Sequence, residues 1–126
     1  MTQEDKELLL KDLTARLPYG VKIELSWWDM GEWISIDTTL EADHIEELLN
    51  DEDGDTYIEP YLFPISRMTE EQKMFLIQQN WCIAISASGT VETTIEGINW
   101  LNKNHFDYRG LIEKGLAINA TGLNIY

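Results

Sequence analysis

The chain is 126 residues long, 44% apolar and 25% charged, values of an ordinary globular domain with enough length to bury a sizeable core. Nine Lys and Arg face 23 Asp and Glu, a formal net charge of −14, and the cations are scattered from Lys6 to Lys114. That balance excludes direct binding to bare nucleic acid, which requires clustered positive charge.

Cys82 is the only cysteine, which excludes an intrachain disulfide, a four-thiolate zinc site and CxxC redox chemistry. No run of residues approaches the ~20 apolar positions that span a bilayer. The start, Met1 to Glu7, is polar and acidic, where a secretory signal would be basic and then apolar. The expectation is a soluble cytoplasmic protein with no membrane partner.

Thr2 followed by Asp5 resembles a capping box and opens a helix from Gln3 to about Leu17, with Leu9, Leu10, Leu13 and Leu17 on its apolar side. Pro18-Tyr19-Gly20 stops it. Residues 21–27 alternate: Val21, Ile23, Leu25 and Trp27 share one face, and Lys22, Glu24, Ser26 and Trp28 the other. Residues 33–37 alternate again, so the two runs predict a hairpin with a four-residue loop over 29–32.

A short helix follows from Leu40 to Asn50, then the acidic turn 51–55, then a strand over 57–59 that Pro60 and Pro64 confine to a sheet edge or end. Thr69 and Gln72 form a capping box for a helix over 70–79. Trp81 to Ala87 reads as a buried strand, broken at Ser88-Gly89, and Cys82 within it as an inert buried thiol. Val91, Ile95, Ile98 and Leu101 suggest a helix from about Thr90 to Lys103, weakened by Gly97. Asp107 caps a last helix over 108–114, which Gly115 and Leu116 end in a Schellman motif, and the tail beyond is extended. Helices and short strands out of strict alternation predict a single α+β domain, a small antiparallel sheet packed with four to five helices.

Four segments carry a resemblance: Leu17-Pro18-Tyr19-Gly20-Val21; Pro60-Tyr61-Leu62-Phe63-Pro64; Met68-Thr69-Glu70-Glu71-Gln72; and the run from Trp100 to Ile112, WLNKNHFDYRGLI. In this order they resemble a family of short proteins encoded by gut Bacteroidales, often within prophages and other mobile elements. The chain departs from that pattern at Phe63, where a basic residue is usual, and over 37–56, which has no counterpart. The resemblance implies a genomic setting and no mechanism.

Asp51, Asp53 and Asp55 stand at positions 1, 3 and 5 of an EF-hand-like loop, but Thr56 replaces its glycine, Leu62 its bidentate glutamate, and Pro60 forbids the exit helix. The expectation is a solvated acidic turn, with weak calcium binding as the alternative and no metal site assigned. His44 and Glu47 lie one helical turn apart and read as surface charge. His105, Asp107 and Arg109 lie between two helices and are candidate binding residues; the alternative gives Asp107 a capping role and Arg109 an acidic partner. Trp28 is a fourth candidate, because adjacent Trp27 and Trp28 must point to opposite faces of a strand. If helices do not cover both faces, Trp28 and Trp33 make an aromatic patch of the sort enriched in protein interfaces.

No nucleophile, metal set or phosphate loop emerges, so no catalytic residue and no cofactor is assigned. The expectation is a non-enzymatic accessory protein of a phage or mobile element that binds a host or phage protein. A special form is DNA mimicry, which requires rows of carboxylates on one face; the acids concentrate in 41–59, with two more at 70–71. The alternatives are a weak calcium-binding module through 51–59 and a small enzyme of unknown reaction.

Overall fold

The computed structural model describes the chain except residues 86–90, and at 82–85 and 91 it describes the backbone alone. Among the described residues, four helices and seven short strands form an α+β architecture: α1 (Gln3–Arg16), β1 (Lys22–Asp29), β2 (Glu32–Thr39), α2 (Ala42–Asn50), β3 (Thr56–Pro64), α3 (Glu70–Gln78), β4 (Cys82–Ile85), β5 (Val91–Thr93), α4 (Ile95–Lys103), β6 (Phe106–Asp107) and β7 (Ile118–Asn119). Strands run in the order β2-β1-β3-β6, with β7 also paired to β3, and β4-β5 is a separate hairpin. The main sheet is antiparallel except where β3 meets β6 and β7.

The period-2 pattern decides the sheet. Ile23 and Leu25 of β1 and Ile58 and Leu62 of β3 point inward, where Leu9 and Leu13 of α1, Leu48 of α2, Leu111 and Leu116 complete one core. Burying each of these side chains is worth about 1.5–3 kcal/mol. A second, smaller core gathers Ile65, Met68, Leu76, Leu101 and Phe106, with Trp81 and Trp100 packed against it. No helix among the described residues is long and apolar enough to cross a membrane.

Local signals held at the helix starts. Thr2 Oγ1 accepts from the Asp5 N–H at 3.1 Å, and Thr69 and Gln72 exchange both bonds of a capping box at 3.1 and 2.9 Å. Four expectations need correction. The hairpin loop has two residues, not four, because Asp29 pairs with Glu32 and both Met30 (φ 48°) and Gly31 (φ 89°) take the left-handed conformation of a type I′ turn. β3 is an interior strand despite its prolines. Pro60 is the last partner on the β1 ladder, and the β7 ladder begins at Tyr61, so little of the ladder depends on the missing donor.

Helix α4 starts at Ile95, because Val91–Thr93 is spent pairing with β4 and Thr94 then caps it by accepting from the Gly97 N–H. Gly97 itself is required by packing: a Cβ there would stand 2.6 Å from the Trp81 carbonyl oxygen. Finally, 108–114 is not a helix. Gly110 (φ 75°) delays the turn, which runs over 111–115. Its Schellman ending is present, with Leu116 N–H on the Leu111 carbonyl at 2.9 Å, Gly115 N–H on that of Ile112 at 3.1 Å, and Gly115 at φ 73°. The expected strand end at 86–87 and the break at Ser88-Gly89 lie outside the described residues, as does the side chain of Cys82.

Candidate functional site

The outer face of the main sheet is exposed around the β1–β2 hairpin and the start of β3. Strand alternation and the observed register place residues in rows across β2, β1 and β3. Trp33 stands opposite Trp28, Ser26 lies between Ser35 and Tyr57, and Glu24 between Asp37 and Glu59. Trp28, Trp33 and Tyr57 are 49%, 51% and 40% exposed. Their rings meet edge-on, Trp28–Trp33 at 5.5 Å and Trp33–Tyr57 at 5.4 Å between centroids. The expected alternative, helices on both faces, does not hold for this side of β1. Trp27, on the inner side, is half-buried against the core.

Next to the rings the face becomes acidic. Ser26 and Ser35 join by a 2.8 Å hydroxyl bond, and beyond them Asp37, Glu24 and Glu59 stand on adjacent strands ~4.8 Å apart. None of the three forms an ion pair among the described residues. The Tyr61 hydroxyl donates to Asp37 Oδ1 at 2.5 Å and lies 3.5 Å from Glu24 Oε2. Burial, the bond to Asp37 and the neighbouring carboxylates push the Tyr61 phenol well above its ordinary range. Partial burial and the charge of Glu24 raise the Glu59 carboxyl in the same way.

The structure separates the three candidates between α4 and the final turn. Asp107 is buried, and its two carboxylate oxygens accept from Leu111 and Ile112 N–H, each at 3.0 Å. Arg109 belongs to a buried ionic network. The Asp12 carboxylate, fully buried, receives Arg16 Nε at 2.8 Å and Arg109 Nε at 3.1 Å. Arg16, also fully buried, donates through Nη2 to the Phe106 carbonyl at 2.6 Å. Tyr108 lies under both guanidinium groups, at 5.3 and 4.9 Å, and its hydroxyl donates to Asn102 Oδ1 at 2.8 Å. Asp107 and Arg109 therefore hold the fold.

His105 alone turns toward a cavity. It adopts φ 64°, and its ring stacks on Tyr126 at 3.8 Å. Burial, and secondarily the charge of Arg16, lowers its pKa to about 4, so the imidazole is neutral at pH 7.

The acidic turn closes on its own backbone. Asp51 accepts from Asp55 N–H at 3.3 Å through Oδ1 and from Thr56 N–H at 3.2 Å through Oδ2, while Leu62, at the twelfth position, is core. His44 Nδ1 accepts from the Glu41 N–H at 3.0 Å at the start of α2. No group of three or more metal-ligating side chains comes together among the described residues.

Sequence reasoning missed Tyr57 as the third ring and Asp12 as the centre of the ionic network. The second had a signal: Leu9, Asp12, Leu13 and Arg16 follow the i, i+3, i+4, i+7 spacing of one helix face, so two ionisable residues stood on a buried stripe. Comparisons with protein-family models, with curated proteins and with solved structures find no match to this chain.

Proposed function

We propose that the protein is a binding module, not an enzyme, and that it docks a basic segment of another protein on the outer face of β1, β2 and β3. The observation that carries this reading is the junction of Trp28, Trp33 and Tyr57 with the row Asp37–Glu24–Glu59. Three clustered, partly exposed rings offer the apolar anchor that dominates many interfaces. Three carboxylates without an ion-pair partner among the described residues call for cations from outside. An arginine suits both halves, since it pairs with carboxylates and stacks on aromatic faces.

Among the described residues β2 has no second neighbour, so its edge adds unpaired backbone groups beside the same face. The setting implied by the family resemblance, a prophage or other mobile element, makes a host or phage protein the natural partner. DNA mimicry would ask for carboxylates repeated over a longer face than one row of three, so a basic peptide is the better fit.

The test is capture from host extract with tagged protein, in parallel with Trp28→Ala, Trp33→Ala and a Glu24→Gln/Asp37→Asn double variant. A specific partner retained by the wild type, lost from the tryptophan variants and weakened by salt and by the charge variant is the expected result. Equal capture by all of them would remove this face from the function.

A further inference from the structure

A cavity of about 430 Å³ opens where the end of β3, the approach to α3 and the end of α4 meet. That is the size of a small-ligand site. Its walls are unusual for this chain. Four rings line it, Phe63, Phe106, His105 and Tyr126, with centroid distances of 6.3 Å for Phe63–Phe106, 5.8 Å for Phe63–Tyr126 and 3.8 Å for the stacked His105–Tyr126 pair. Arg67 and Lys103 also line it, and no Asp or Glu side chain does, in a protein with 23 acids and nine Lys and Arg. Neither cation forms an ion pair among the described residues.

We propose that this cavity binds a small planar aromatic anion, its ring against the Phe63, Phe106 and Tyr126 wall and its charged group between Arg67 and Lys103. The rings are held in place from behind. The Tyr126 hydroxyl accepts from Lys22 N–H at 2.8 Å and donates to the Tyr61 carbonyl at 2.7 Å, bridging β1 and β3 just past their last paired residues. Phe63 N–H donates to the His105 carbonyl at 2.8 Å, which ties the two sides of the cavity together. A preformed wall of this kind spares a flat ligand the cost of ordering it.

His105 supplies a polar handle. Its Nδ1 is buried without a hydrogen-bond partner among the described residues. The neutral ring keeps a second nitrogen, Nε2, that can donate or accept a hydrogen bond. The charge recognition then falls to Arg67 and Lys103. Tyr57 and Phe63 are six strand positions apart, roughly 20 Å, so this site stands or falls independently of the sheet face.

The test is a two-dimensional NMR titration of the full chain with 1-naphthyl phosphate, with 1-naphthol and inorganic phosphate as controls. Saturable shifts at the amides of Phe63, Thr69, Asn104, His105 and Phe106, at least tenfold weaker binding of either control, and at least tenfold weaker binding by Arg67→Gln/Lys103→Gln with an unchanged melting temperature would support the site. Absence of shifts there at millimolar naphthyl phosphate, equal binding of naphthol, or undiminished affinity in the double variant would overturn it.

Discussion

The outer sheet face and the His105 cavity are both lined by aromatic rings, and they differ in charge. The face sets three half-exposed rings beside three carboxylates, and the cavity sets four rings beside Arg67 and Lys103. The acidity of the chain, −14 in all, therefore extends to the face and not to the cavity. They also differ in how they are made. The face comes from strands close in sequence, fixed by one hairpin register and the alternation of side chains. The cavity is collected from residues distant in sequence, among them 63, 67, 103–106 and 126, brought together by the β3–β6 pairing and by a buried network that holds the 105–111 segment against α1.

That contrast predicts which substitutions damage which site. The largest effect is expected for Asp12→Ala. It leaves Arg16, fully buried, without its carboxylate and frees Arg109 as well. Removing one partner of a buried pair costs about 3–5 kcal/mol. Urea denaturation should show that loss, and NMR of the native variant should show disturbed amides over 105–111 with Trp28 and Trp33 unmoved. A loss under about 1 kcal/mol would mean that the network does not hold the cavity.

Leu111→Ala comes next. Leu111 is fully buried in the main core, and its N–H and C=O anchor the Asp107 cap and the Schellman ending. A cost of about 2–4 kcal/mol is expected from the vacated volume. The cavity should again suffer more than the face, and a silent denaturation curve would show that the final turn is not docked.

Acid titration distinguishes the two sites by sign. His105 is protonated at about 4 in the fold against 6.5 ordinarily, so the unfolded chain takes up the proton first as pH falls. Its contribution is complete above pH 6.5 and is lost on the way down to pH 4. Glu59 acts in the opposite sense, because its raised folded pKa makes the native state bind the proton first and its contribution grows as pH falls from above that value. His105→Asn keeps a residue tolerant of positive φ. The variant should lose less stability than the wild type between pH 7.5 and 4.5, measured as urea midpoints. Equal losses would show that the ring is not held neutral.

Much of the face was legible in the sequence and little of the cavity was. Alternation over 21–27 assigned Trp28 to the side opposite Val21, Ile23 and Leu25 before any pairing was known, and the capping residues Thr2 and Thr69 start helices where expected. What failed were competitions between local and distant partners. Val91–Thr93 fits a helical spacing, but β4 takes it as a strand. Residues 108–114 look helical with Asp107 ahead of them, yet β6 pairing and Gly110 postpone the turn. Pro60 reads as a sheet edge because sequence does not show that its strand changes partners there. Arg109 reads as a binding residue or as half of an ion pair, and its acid, Asp12, lies 97 positions away, where sequence does not single it out.

The smallest expected effect is also the sharpest test of the face. Trp33 is half exposed and touches Trp28 and Tyr57 edge-on. Such aromatic pairs contribute about 0.5–1.5 kcal/mol beyond their buried area, so Trp33→Ala should lower stability by about 1 kcal/mol and leave the fold intact. Two indoles whose centroids lie 5.5 Å apart at 71° also couple electronically. The wild type should show an exciton couplet in its circular dichroism that disappears in both Trp33→Ala and Trp28→Ala. Trp33→Phe should restore most of the stability, since a ring still meets Tyr57, and none of the couplet, since only one indole remains. A couplet that survives Trp33→Ala would come from another tryptophan pair, and the rings of β1 and β2 would then not be packed as an anchor for a partner.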